Sequence, residues 1–229
     1  MSDEQIQAGV QKLTGVVNAN LGMTDMFVRL WRLLAETGEP VSVADLAGAG
    51  GWPVEKVQAE LERQPGTDWA EDGRVAGFGL TLQPTPHAFT FEDRTVYGFC
   101  ATDVVNFPVI LGRAGVVESR CPATGQRIRV ELSPDGVLRV DPPEAVVSKV
   151  HLTQAVANIR DLCDLGHFFS SPQAAEGWLT AHPDGQIVPV AEEFEVGRRA
   201  MDDLGWIAPA TSTRISAGAS TEANPSACC

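Results

Sequence analysis

From Phe78 to Val150 the chain is cut into short runs of β-branched and aromatic residues, and this patterning limits the possible folds more than any other feature. The runs are Gly79 to Leu82, Ala88 to Phe91, Thr95 to Phe99, Val116 to Arg120, Arg127 to Leu132, Val137 to Val140 and Val146 to Leu152. Glu92-Asp93, Pro122-Ala123-Thr124-Gly125 and Ser133-Pro134-Asp135-Gly136 between them are turn sequences. In such turns proline presets φ, glycine accepts positive φ, and short polar side chains bond their own backbone. Strands joined this closely pair with antiparallel neighbours, so the spacing predicts a meander and argues against alternating βαβ units. One helix interrupts it: Ala101 to Leu111, expected despite Pro108, with Cys100 at its mouth.

Ahead of the strands the periodicity is helical. Ile6, Val10, Leu13, Val16 and Val17 mark a first helix that breaks over Asn18 to Gly22. Thr24 is the expected N-cap of a second, in which Phe27, Leu30, Trp31 and Leu34 follow helical spacing until Gly38 and Pro40. Ser42-Val43-Ala44-Asp45 has the form of a capping box with Asp in place of Glu and opens a short helix that stops at Gly48 to Gly51. Pro53 starts another, with Val54, Val57 and Leu61 inward. An Asp72-Gly73 turn between apolar flanks predicts a hairpin. Helix, short helix, turn, helix and hairpin is the order of a winged helix. Helices return at Gln154 to Leu162, at Pro172 to Thr180 with Trp178 inward, and at Ala191 to Leu204 with Phe194, Gly197 and Met201 on one stripe.

Charge narrows the partners. A net charge of −13 and a pI near 4.6 weigh against nucleic acid and anionic membranes, which need a concentrated basic surface. The would-be recognition helix carries Glu55, Glu60 and Glu62 against Lys56 and Arg63. No run of about eighteen apolar residues is present, and the acidic start Met1-Ser2-Asp3-Glu4-Gln5 lacks the layout of a secretory signal, so a cytoplasmic location is expected. Five cysteines without any C-x-x-C weigh against a thioredoxin-like redox site and a four-cysteine zinc knuckle, and most should be free thiols in a reducing compartment.

Two of those cysteines stand in reactive contexts. Cys100 and Asp103, at i and i+3, share one face where β-like sequence gives way to a helix, and a helix N-terminus is expected to favour the thiolate. Cys163 lies where a helix ends before a sharp turn into Gly166-His167-Phe168-Phe169. Cys121, ahead of Pro122 in a turn, is expected to pack as a small apolar residue, and His167 to be a satisfied, half-buried histidine.

Taken together, several separated motifs resemble the organomercurial lyase (alkylmercury lyase) family. They are Tyr97-Gly98-Phe99-Cys100-Ala101-Thr102-Asp103, Phe107-Pro108, Ile110-Leu111-Gly112-Arg113, Val117-Glu118-Ser119-Arg120-Cys121-Pro122-Ala123-Thr124-Gly125, Ala145-Val146-Val147-Ser148, and Cys163 with His167-Phe168-Phe169. The resemblance runs from about Leu21 to Arg198. The segment before Cys163 is one residue shorter than the family pattern, and Leu165 stands where some members carry histidine.

The resemblance implies protonolysis of a carbon–mercury bond to give a hydrocarbon and Hg(II), without an organic cofactor and with external low-molecular-weight thiols removing the product. It places Cys100 and Cys163 as the catalytic cysteines, Asp103 as the catalytic aspartate and Cys121 as a structural cysteine. Mercuric reductase is implied as a downstream partner; from the charge alone, neither nucleic acid nor membrane is expected as one. The implied class is α+β: a winged-helix-like N-terminal part, residues 1–76, packed on an antiparallel catalytic core, residues 77–207. A tail, residues 208–229, is expected to be disordered and ends in Cys228 and Cys229, two further candidate mercury ligands. The residue chemistry agrees, because thiolates are the side chains that match so soft an ion and a carboxyl at i+3 can carry a proton. A second reading is a winged-helix regulator that senses mercury or thiols; a third is a relative that sequesters metal without cleaving the bond.

Overall fold

The computed structural model describes residues 1–150 and 157–208. The chain opens with α1 (Asp3–Asn20), α2 (Thr24–Thr37), α3 (Val43–Gly50) and α4 (Val54–Glu62). Strands β1 (Asp68–Trp69), β2 (Val75–Phe78), β3 (Leu80–Thr81), β4 (His87–Phe91) and β5 (Arg94–Gly98) lead to α5 (Ala101–Leu111). Then come β6 (Gly115–Arg120), β7 (Arg127–Ser133), β8 (Gly136–Asp141), β9 (Val146–Val150), α6 (Ile159–Cys163) and β10 (Phe168–Phe169). A 3-10 turn (Gln173–Ala175), α7 (Glu176–Ala181), β11 (Gly185–Pro189) and α8 (Val190–Asp203) complete it. This is the expected α+β architecture. Among the described residues, no helix is long and apolar enough to cross a membrane.

Eight strands form one antiparallel sheet in the order β1-β2-β3-β5-β4-β6-β7-β8. A separate sheet, β10-β9-β11, holds the remaining three, so the simple meander is corrected in two places. Strand β5 inserts between β3 and β4, and β9 leaves the main sheet after Pro142-Pro143, a pair without the N–H groups a ladder needs. The short β10 and β11 gave no clear signal in the sequence: one is two residues long, and the other follows a loop from α7 directly into α8.

Local rules account for most helix ends. Ser42 Oγ accepts from Asp45 N at 3.0 Å, as the capping box requires, and Gly38 closes α2 with φ +70°. Thr24 is the first residue of α2 and not its cap; Met23 precedes it without a side-chain bond. Pro53 is the N-cap residue of α4, and Val54 faces solvent, because the buried side of that helix is Val57, Glu60 and Leu61. Helix α6 begins only at Ile159, after Asn158, whose Oδ1 accepts from Arg160 N at 3.0 Å; residues 154–156 lie outside the described residues.

Helix α5 is buried on almost every side, as its composition requires, and so occupies the middle of the molecule. It packs against α8, α2 and the main sheet. Phe107 meets Phe89 edge-on at 6.0 Å, and Phe89 stacks on Phe91 at 5.6 Å. Arg32 of α2 donates to the carbonyls of Ile110 at 3.1 Å and Trp206 at 2.9 Å, and Trp31 Nε1 donates to Phe78 O, so the N-terminal helices are bonded into this core. Phe89 is fully buried between sheet and α5; its replacement by alanine is expected to lower stability by about 3–5 kcal/mol, measured by chemical denaturation.

Candidate active site

The site forms where β5 hands over to α5. Phe99 N donates to Gly79 O at 2.9 Å, and Cys100 follows as the N-cap of α5 with extended φ −142° and ψ 174°. Cys100 N donates to Asp103 Oδ2 at 3.0 Å, while the Cys100 side chain accepts from the Asp103 backbone, a capping box built from a thiol and a carboxylate. Ala101 N donates to Gly166 O at 3.0 Å and draws in the loop that follows α6. A Cβ on Gly166 would lie 2.9 Å from Cys100 Cβ and 3.5 Å from its Sγ, so only glycine permits this approach. Ser148 on β9 steadies the loop, donating to Leu165 O and accepting from His167 N, each at 2.9 Å.

That loop carries Cys163 to Cys100. One ligand atom from each of Cys100, Asp103 and Cys163 lies within 4.8 Å of the others, and Cys163 Sγ is 4.0 Å from Asp103 Oδ2. Both thiols are free and buried. The shorter segment before Cys163 therefore does not keep the sulfurs apart. Cys121 is buried but outside this group; its backbone closes the 121–126 turn. His167 is half-buried, as expected, its ring 6.3 Å from His87 and 6.2 Å from Phe169. Cys228 and Cys229 lie outside the described residues.

The electrostatics depart from expectation at Cys100. Its thiol is pushed well above the ordinary cysteine range by the hydrogen bond with Cys163, by burial, and by the Asp103 charge. A single helix terminus does not outweigh those three effects, so the resting site holds a protonated thiol and not the thiolate the N-terminal position suggested. Burial likewise lifts Asp103 to about 6, against the opposing pull of bonds from Cys100 and Phe99 and of the Arg160 charge.

Arg160, which the sequence reading passed over, stands one helical turn before Cys163. Its guanidinium lies 3.3 Å above the Phe99 ring and pairs with Asp68, which also accepts from Thr81 Oγ1 at 2.7 Å. The i, i+3 spacing of Arg160 and Cys163 was the available signal. Thr102 was passed over too: its Oγ1 donates at 2.9 Å to Glu193 on α8, which pairs with Lys149 at 2.7 Å.

The three groups open onto a pocket of about 220 Å³ with chiefly apolar walls. Trp31, Phe78, Ile110, Met201 and Trp206 line one part, and Leu13, Val16 and Val17 of α1 another. A soft, apolar molecule fits such walls, with two sulfurs and one proton carrier at its reactive end.

Residues 80–202 match the family model described as alkylmercury lyase, and residues 10–79 match the helix-turn-helix domain of alkylmercury lyase. The alkylmercury lyase of Staphylococcus epidermidis is 43% identical over 179 residues, covering 78% of this chain and 82% of the relative. That of Bacillus cereus is 42% identical over 198 residues, 85% of this chain and 90% of the relative. A solved structure, the mercury-bound form of MerB2, shares the fold with a TM-score of 0.70 over 88% of this chain and 98% of that chain, at 20% identity.

Because the folded carboxyl of Asp103 holds its proton to about pH 6 and the unfolded one releases it near 3.8, the folded state binds more protons between those values. Wild-type stability should therefore fall, relative to Asp103→Asn, as pH rises from about 4 to 6, by on the order of 2 kcal/mol. Denaturation midpoints of the two proteins across that range test this.

Proposed function

The chain belongs to the alkylmercury lyase family and is an organomercurial lyase, and from that premise we propose that Cys100, Cys163 and Asp103 carry out its protonolysis of carbon–mercury bonds. The observation supporting this assignment is the meeting of two buried thiols and one carboxyl within 4.8 Å at the end of an apolar pocket. Residues 77–207 are read as the catalytic core, and residues 1–76 as a part that helps enclose the substrate through the pocket-lining faces of α1 and α2.

A protonated Cys100 thiol suits an incoming mercurial. The first sulfur displaces the group already on mercury, and its proton leaves with that group. As the second sulfur bonds to mercury, its proton passes to the Asp103 carboxylate. Two thiolates on one metal raise the electron density at the bound carbon. The Asp103 carboxyl then protonates that carbon, the carbon–mercury bond breaks, and the hydrocarbon departs. Asp103 is again a carboxylate and Hg(II) remains on two sulfurs. In total, RHgX and two thiols give RH, HX and a mercury bis-thiolate, with no change of oxidation state at sulfur. A carboxyl titrating at about 6 can act in both directions near neutrality. These steps need no resident metal or organic cofactor, only external thiols to take the product, and mercuric reductase is a suitable recipient.

In a phenylmercury assay with benzene as the readout, Cys100→Ala and Cys163→Ala should each release no benzene above background. Asp103→Asn should still bind mercury, by titration, but release hydrocarbon at least about a hundredfold more slowly. Full benzene release by either cysteine variant, or by Asp103→Asn, would refute the assigned role. Stoichiometric mercury uptake without benzene in the wild type would favour a sensing or sequestering protein instead.

A further inference from the structure

A second cavity of about 330 Å³ adjoins the reactive pocket, and Gly9, Lys12, Lys149 and Gln186 line both. The chain has only three lysines, Lys12, Lys56 and Lys149, in a net charge of −13; with Lys149 paired to Glu193 and the Met1 ammonium to Glu192, Lys12 leaves this opening locally positive. Apart from Asp103, Lys12 and Lys149 are the charged residues on the reactive pocket's wall. Lys149 Nζ is held at 2.7 Å by Glu193, which is 1% exposed. Lys12, on the exposed face of α1, forms no ion pair among the described residues. The acids on the second cavity's wall are already engaged, Glu193 with Lys149 and Glu192 with the Met1 ammonium.

The reaction leaves Hg(II) between two buried thiolates, and its departure is a ligand exchange. Two external thiols give their protons to Cys100 and Cys163 while their sulfurs take the metal, again without oxidation or reduction. The walls of the reactive pocket are chiefly apolar, and Lys12 and Lys149 are its cationic residues. We propose that Lys12 and Lys149 form a carboxylate-binding subsite that docks low-molecular-weight thiols bearing a carboxylate, so that their sulfur enters the pocket toward the bound metal. This rests on the assignment of Cys100 and Cys163 as the mercury-holding pair. Lys12 and Lys149 bind the anionic end of the acceptor, and because both also line the reactive pocket its thiol faces that pocket.

The test uses the full-length protein loaded with one equivalent of HgCl2, with metal transfer followed against the concentration of 2-mercaptosuccinate or of neutral 2-mercaptoethanol. The ratio of the two half-saturating concentrations in wild type, compared with the same ratio in a variant, cancels the intrinsic mercury affinity of each thiol. Lys12→Glu should reduce the relative advantage of mercaptosuccinate about fivefold or more, Lys149→Arg should retain it, and high salt should shrink it in the wild type. An unchanged ratio in Lys12→Glu, or an advantage insensitive to salt, overturns the subsite. Loading needs no lyase turnover, and benzene release by the wild type is scored separately, so failure of the subsite and failure of the lyase mechanism are distinguishable.

Discussion

The reciprocal cap between Cys100 and Asp103 is the interaction on which the rest of the site depends. A capping residue must leave β5 in an extended conformation and present its side chain to the first turn of α5. With cysteine in that place, an ordinary device for ending a strand and starting a helix also aims a thiol, and the carboxyl that completes the cap is set beside it. The bond from Ala101 N to Gly166 O then brings a second segment against the same turn, and Cys163 arrives with it. The surrounding architecture largely buries that turn: α5 sits at the centre of the molecule, with sheet on one side and helices on the others.

Burial gives the site its selectivity by charge. A protonated Cys100 thiol is stable in this buried site, whereas a thiolate there would meet both the cost of burial and repulsion from the Asp103 charge. A soft dication compensates that repulsion through bonds to sulfur, so the charged form of the site is favoured when the metal arrives. Arg160 moderates the same balance from the side, stacked on Phe99 and tied to Asp68.

Much of this was legible in the residues. Turn chemistry marked the strands from β4 to β8, and the apolar length from Ala101 to Leu111 marked a helix despite Pro108, which α5 accommodates in mid-helix. Cys100 and Asp103 could be paired because their spacing is local. Cys163 could be joined to them only through likeness to a family, since no local rule carries a residue so far along the chain to its partner. The thiol's protonation state was misread for a related reason: the helix terminus is visible in sequence, but the three-dimensional burial that opposes it is not. The same limit hid the second sheet, whose strand β9 pairs with β10 and β11 from later in the chain, and it hid Glu193, which meets Thr102 and Lys149 through tertiary packing.

The hydrogen bonds from Arg32 to Ile110 and Trp206, with α1 and α2 lining the pocket, bear on how such a chain can evolve. Helices with the order of a DNA-reading module here form part of the wall of a chiefly apolar pocket. Recombination that exchanged the first helices for those of another protein would discard one wall of the cleft together with them. Changes in α1 would thereby reshape the same pocket as changes beside the sulfurs.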